Sequence, residues 1–287
     1  MTDPFENWIN RLFERWMGEL THQEIARALK ALTRDYVQRR TRLRGKALEG
    51  RGKQAAFACY YAPRHFVIVR EVLKALGDCP RPQAEGLSPS SDDLAGATTG
   101  TVPKNGDSPL QLIDLGCGSG VAGAAWALHC GGNVVGVELD PDVAREAAFT
   151  FKDLGVRGGI VRCHIAKYRW PKPPLGIVAA FTINELDERD RERLWRDLER
   201  QIKGGSHLLV LEPLATGIAP WWQEWSERVR ALGGRADEWH FNVELPERVH
   251  LLGKSAGMKP EKLGARTLWL EPRPKGRGAA AGGNEDS

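Results

Sequence analysis

The stretch LIDLGCGSGVAGAAWAL, residues 112–128, decides the fold. A short apolar run ends in an acid, Asp114, and glycines then stand at every second position, Gly116, Gly118 and Gly120. Small apolar residues follow. Glycine lets a backbone turn sharply and come close to a ligand that a side chain would strike. Strand, glycine turn and helix, in that order, is where an open α/β sheet receives a nucleotide-like ligand.

Outward from this stretch the same alternation repeats. NVVGVEL, GGIVRCHIA, IVAAFTI, SHLLVLEPL, ADEWHFNV and ARTLWLE read as strands. DPDVAREAAFTFKDLG is a helix with Asp140 as N-cap and Pro141 at its first position. ERDRERLWRDLERQI, APWWQEWSERVRALG and PERVHLLGKSAG are further helices. Strands alternating with helices predict an α/β fold: a Rossmann-like, doubly wound, mostly parallel seven-stranded sheet.

Upstream, residues 4–47 read as helical. Phe5, Trp8, Ile9, Leu12, Phe13 and Trp16 form an apolar stripe at helical spacing. Gly18 ends that helix, and Thr21 with Glu24 makes a capping box for the next. A basic cluster follows: Arg34, Arg39, Arg40, Arg42, Arg44, Lys46, Arg51 and Lys53. It reads either as a solvated helix face or as a surface that contacts phosphates. Residues 54–77 form a helix interrupted or started near Pro63. The Pro-, Gly- and Ser-rich residues 79–108 read as a disordered linker or insertion. The expected division is an N-terminal helical, basic subdomain (1–78), that linker, a ligand-binding domain (109–271) and a loose tail (272–287).

Composition bounds the rest. The chain has 287 residues, 41% of them apolar, and a net charge of +4. Its five cysteines include no C-x-x-C pair, which points away from a disulfide scaffold and towards a reducing compartment. No spacing of ligands suggests a metal site. The first residues carry acids and tryptophans and do not read as a signal peptide. The apolar runs are too short to span a bilayer. A soluble, cytoplasmic protein is expected.

The ligand is narrowed by chemistry. A dinucleotide pyrophosphate calls for G-x-G-x-x-G and no nearby acid. Here the spacing is G-x-G-x-G, and Asp114 stands two residues before the first glycine. A carboxylate there repels a pyrophosphate and suits an ammonium, which favours S-adenosylmethionine. Glu138 ends the next strand, 24 residues after Asp114, where an acid accepts hydrogen bonds from both ribose hydroxyls.

These residues resemble the class I S-adenosylmethionine-dependent methyltransferases. DLGCGSG looks like their first motif and VVGVELDPDVAREA like their second. The resemblance covers residues 110 to about 271. It implies that Asp114, Gly116, Cys117, Gly118 and Gly120 surround the amino-acid end of the cofactor. Glu138 and Leu139 would hold the ribose side. Many members carry an acid after the third strand to hold the adenine amine; Ile165 stands at that place here. The fourth strand ends in FTINELDE, and in this superfamily that end faces the transferable methyl. Asn184 and Glu185 are therefore the catalytic candidates, with Glu185 as the general base if the acceptor must lose a proton. Neither the Asn/Asp-Pro-Pro-aromatic signature of DNA amine methylation nor a Pro-Cys nucleophile is present.

YYAPRHFVIVREVL, INEL, LLVLEPL and ELPERVHLLGKSAGMKPEKLGARTLWL are also similar to the ribosomal small-subunit methyltransferase-like family. Its mitochondrial members act in assembly of the small ribosomal subunit. They bind an iron–sulfur cluster through a set of cysteines that this chain lacks. The expected substrate contacts are Tyr61, Arg64, Arg39 and Arg40. Three readings stay open: a methyltransferase acting on RNA, with small-subunit ribosomal RNA favoured; a ribosome-assembly protein that has lost chemistry; and a small-molecule methyltransferase.

Overall fold

In the computed structural model, which describes residues 3–38, 48–77, 110–215, 219–258 and 262–272, seven strands form one sheet. They are β1 (Gln111–Leu115), β2 (Asn133–Glu138), β3 (Gly158–Arg162), β4 (Gly176–Ala180), β5 (His207–Glu212), β6 (Arg235–Phe241) and β7 (Leu263–Leu270). The order across the sheet is β3-β2-β1-β4-β5-β7-β6. β3, β2, β1, β4 and β5 run parallel, and β7 is antiparallel to both β5 and β6. The α/β fold with a mostly parallel seven-stranded sheet is the one expected. Chain order reverses between β1 and β4, and an open α/β sheet has its ligand crevice at that switch, at the carboxyl ends of the strands.

Strand residues alternate between two cores, as period-two side chains must. Leu112 points into one and Ile113 into the other; Leu209 and Leu208 divide in the same way. The Ile113 side is covered by α7 (Glu188–Lys203), through Leu194 and Leu198, and by α8 (Trp222–Ala231), through Trp225 and Val229. The Leu112 side is covered by α5 (Val121–Cys130) and by the N-terminal helices. Those are α1 (Pro4–Met17), α2 (His22–Gln38), α3 (Arg51–Ala56) and α4 (Ala62–Leu76). Trp8, Leu12, Trp16, Phe66 and Val69 belong to the same core cluster as Trp126 and Trp269. The expected subdomain 1–78 thus shares its core with the sheet.

Local capping follows the sequence. The Thr21 hydroxyl accepts from the Glu24 amide at 3.3 Å, and the Glu24 carboxylate accepts from the Thr21 amide at 2.8 Å. Asp140 Oδ1 accepts from the amides of Asp142 and Val143, opening α6 (Pro141–Asp153). The break expected near Pro63 has a different form. α3 continues into a π-helical turn, Phe57–Tyr61, and then directly into α4 with Pro63 in its first turn. Proline is tolerated there because the first helical N–H groups have no partner within the helix.

Cys59, Cys117 and Cys163 carry free thiols. Cys130 is disulfide-bonded, against the expectation of reduced cysteines. The linker 79–108, most of the tail, and Arg39, Arg40, Arg42, Arg44 and Lys46 lie outside the described residues. No helix among the described residues is long and apolar enough to cross a membrane.

Candidate functional site

The glycine turn joins β1 to α5 at the switch point. Gly116, Gly118 and Gly120 hold φ of 59°, 55° and 77°, a region that L-residues other than glycine rarely occupy. Two of them are also held by space. A Cβ on Gly116 would stand 2.1 Å from Thr182 Oγ1, and one on Gly120 would stand 2.8 Å from Phe151. A Cβ on Gly118 meets only the Phe57 ring, at 3.8 Å. Gly118 is therefore where the turn faces open space, under the π-helical turn.

Asp114 is 1% exposed and lies beneath this turn. Its Oδ2 accepts from the Gly123 amide at 2.8 Å, which satisfies one of the first N–H groups of α5. Its Oδ1 is buried with no partner. Burial, followed by the charge of Glu138, raises its carboxyl to about 7 against the pull of the Gly123 amide. Asp114 thus anchors the loop to the helix, a task the spacing did not reveal. Cys117 is buried beside it, its amide donating to Val137 O at 3.0 Å, and burial holds its thiol neutral.

Glu138 closes the turn from the end of β2. Its Oε2 accepts from the Gly118 amide at 3.1 Å, and its Oε1 from the amides of Leu139 and Asp140 at 2.7 and 3.0 Å. A carboxylate offers about four acceptor positions, so Oε2 keeps one for a ligand hydroxyl. Leu139, next in the chain, is 59% exposed. Ile165, by contrast, is buried in the core beside Leu115 and Val137.

The end of β4 forms the opposite wall. Phe181 has φ of 60°, the non-glycine residue in the left-handed region among those described. Thr182 packs on Gly116, and the Glu185 amide donates to Thr182 O at 3.0 Å. Glu185 is exposed, yet burial of its carboxyl, and then the charge of Glu138, raise it to about 7. Asn184 turns the other way: its Nδ2 donates to the buried Glu212 carboxyl, and its Oδ1 accepts from Trp221 Nε1 at 3.2 Å.

Aromatic rings from the N-terminal segment complete the wall. His65 stacks on Phe181 with ring centroids 4.0 Å apart. Phe57 lies 6.1 Å from Tyr61 and 6.2 Å from His65. Burial, then the Arg64 charge, lower His65 to about 3, so its ring is neutral at pH 7. The Tyr61 hydroxyl bonds Thr33 Oγ1 at 2.9 Å. Arg64 lies over the Tyr60 ring and donates to Lys262 O at 3.4 Å. Phe57, His65 and Phe181 are not among the site residues expected from the sequence. The π-helical turn from which Phe57 projects has no sequence signature of its own, although such turns recur at functional sites.

This arrangement fits S-adenosylmethionine. The backbone at Gly118 is open, the Glu138 carboxylate is a hydroxyl acceptor beside it, and flat rings stand across the cleft. Residues 112–205 match the family model described as a methyltransferase domain. Over that segment, about a third of its length, the chain is similar to methyltransferase domains.

Relatives of the chain are remote. A ribosomal protein L11 methyltransferase of Saccharophagus degradans is 36% identical over 74 residues, 25% of this chain and 24% of the relative. The chain thus matches about a quarter of that relative's length. Among solved structures, an S-adenosylmethionine-dependent methyltransferase from Aquifex aeolicus is 18% identical, with a TM-score of 0.38, over 56% of this chain and 82% of its own. The mitomycin 7-O-methyltransferase is 15% identical, with a TM-score of 0.47, over 95% of this chain and 74% of its own. Among the described residues no group of three or more His, Cys, Asp or Glu is placed to hold a metal ion.

Proposed function

We propose that this chain transfers a methyl group from S-adenosylmethionine to RNA, with small-subunit ribosomal RNA as the favoured substrate. The observation that carries the chemistry is the Glu138 carboxylate on the Gly118 amide of the glycine turn, whose charge reaches the Glu185 carboxyl. Glu138 holds the ribose, and the Gly118 backbone lies along the cofactor's amino-acid end. The bound cofactor supplies an electrophilic methyl on a sulfonium sulfur. Glu185, raised to about 7, accepts the proton that an N–H or O–H acceptor loses as its bond to the methyl forms. The fixed wall of Phe57, His65 and Phe181 orients a flat acceptor, and positioning supplies much of the rate of such a transfer. Asn184 holds the β4 end in place through Glu212 and Trp221.

The RNA reading rests on charge. Arg27 and Lys30 on α2 line a cavity with His22, and Arg34 is exposed on the same helix. The chain then runs into Arg39, Arg40, Arg42, Arg44 and Lys46. Arg51 and Lys53 are less available, being paired with Glu19 and Asp35. A cationic stretch of this kind binds phosphates with strong salt dependence. The test is transfer of labelled methyl to small-subunit ribosomal RNA, alongside calorimetry with S-adenosylmethionine. The reading expects cofactor binding that is lost in Glu138→Ala, and RNA labelling that is lost on charge reversal of Arg39, Arg40, Arg42 and Arg44. Cofactor binding without RNA labelling moves the substrate to a small molecule. No cofactor binding leaves an assembly protein without chemistry.

A further inference from the structure

A cavity of about 430 Å³ lies between α8 and the β6–β7 pair. Arg266 of β7 lines it and is 3% exposed, its guanidinium carbon 4.4 Å from the centre of the Trp222 ring. Its Nε and Nη2 have no hydrogen-bond partner. The N–H bonds of these two atoms run parallel and form one edge of the guanidinium fork, the edge that takes both oxygens of a carboxylate. Two glutamates flank Arg266 in register, Glu212 on β5 and Glu238 on β6, yet neither forms an ion pair with it. Burial raises the Glu212 carboxyl to about 8 against the pull of Asn184 and Arg266, so at pH 7 it offers the guanidinium little negative charge. Asp237, also on the cavity wall, is paired with Arg235 at 2.8 Å. Burying an unpaired guanidinium is costly, and such a group ordinarily meets an anion.

We propose that this cavity binds an organic monocarboxylate, with Arg266 Nε–H and Nη2–H gripping its two oxygens and Ala219, Pro220 and Trp222 covering its apolar body. Arg230, exposed on α8 and lining the same cavity, adds a second positive charge at the mouth. The charges on the wall choose the ligand class. With Asp237 neutralised by Arg235, Arg230 and Arg266 face Glu238 alone, a balance that admits one negative charge and opposes the two of a phosphate. The fork is planar and matches a carboxylate on one edge. The cavity falls within the size range of small-molecule sites. The proposal is independent of the methyl-transfer reading.

The test is calorimetric titration of the full chain at pH 7 and constant ionic strength with benzoate, acetate and inorganic phosphate. Saturable benzoate binding is expected, with acetate weaker and phosphate inert. Arg266→Lys keeps the charge but loses the fork, and should weaken benzoate about tenfold or more with the circular dichroism spectrum unchanged. Should Arg266→Lys fail to fold, Arg230→Gln on the exposed face of α8 decides the matter through a several-fold loss. The proposal is overturned if benzoate does not saturate, if phosphate binds in preference, or if the deciding variant binds benzoate as the wild type does.

Discussion

His65 and Phe181 stack with ring centroids 4.0 Å apart and planes 22° from parallel, joining α4 to the end of β4 across the cleft. Phe181 makes this contact from a left-handed backbone, which costs an ordinary residue roughly 1–2 kcal/mol. Strain of that kind persists only where the surroundings hold it, and it collects at functional sites. The usual order of substitution should therefore reverse here. Phe181→Gly relieves the backbone while losing the ring; Phe181→Ala loses the ring and keeps the strain. Thermal unfolding should show Phe181→Ala as the less stable of the two, by about 1 kcal/mol. Equal stabilities would mean that the backbone at this position is not held left-handed.

The glycine turn offers a second contrast. Gly116→Ala drives a Cβ against Thr182 Oγ1, whereas the Cβ of Gly118→Ala meets only the Phe57 ring edge. Both pay for the left-handed backbone. Gly116→Ala should be the more destabilising in chemical denaturation. Gly118→Ala should fold and lose cofactor affinity, because its methyl enters the space the ligand needs. A cofactor titration that finds Gly118→Ala unimpaired would place the ligand elsewhere.

Glu138 already accepts three backbone N–H bonds, so its removal acts on the loop as well as on the ligand. Glu138→Gln keeps the size of the side chain and loses the charge. A hydrogen bond to a charged group contributes about 1.5–3 kcal/mol, so cofactor affinity should fall roughly 10- to 100-fold. Calorimetry on Glu138→Gln and Glu138→Ala measures it. Unchanged affinity in both would remove Glu138 from the ribose site.

Asp114 makes stability depend on pH. Its folded carboxyl titrates at about 7, above its ordinary value of 3.8. The folded state therefore holds this proton more tightly than the unfolded state does. The contribution is fully present below about pH 4 and is lost as pH rises towards 7. Asp114→Asn keeps an acceptor for the Gly123 amide and cannot ionise. Its stability relative to wild type should rise steadily between pH 4 and 7 and level off above. Denaturant midpoints across that range decide it, and a flat difference would show that Asp114 ionises normally beneath the loop.

Glu185 should set the pH dependence of catalysis. If it takes the acceptor's proton, kcat/KM rises through pH 7 in the wild type, where the carboxyl ionises. Glu185→Gln should be flat there and roughly 10²- to 10⁴-fold slower. A wild-type profile without an inflection near 7, or a Gln variant that retains it, would assign the proton to another group.

The sequence by itself determined the sheet and the position of the cleft within it. Short apolar strands, glycines at every second position after Asp114, and the Asp140–Pro141 helix start are local signals, and each is read from neighbouring residues. Glu138 was readable as a candidate because it lies one strand on, at a fixed place. The tertiary structure decided what each side chain faces. Asp114 proved to be buried under α5, because a side chain at the end of a central strand can turn either to the core or to the ligand. Asn184 and Glu185 are adjacent, yet Glu212 and Trp221 hold the first while the second is exposed. Phe57, His65 and Phe181 come from segments more than 110 residues apart. Arg266 meets Trp222 only where β7 turns back antiparallel beside β5. Contacts of this range depend on how helices and sheet pack, and packing is a property of the whole core rather than of any window of the chain.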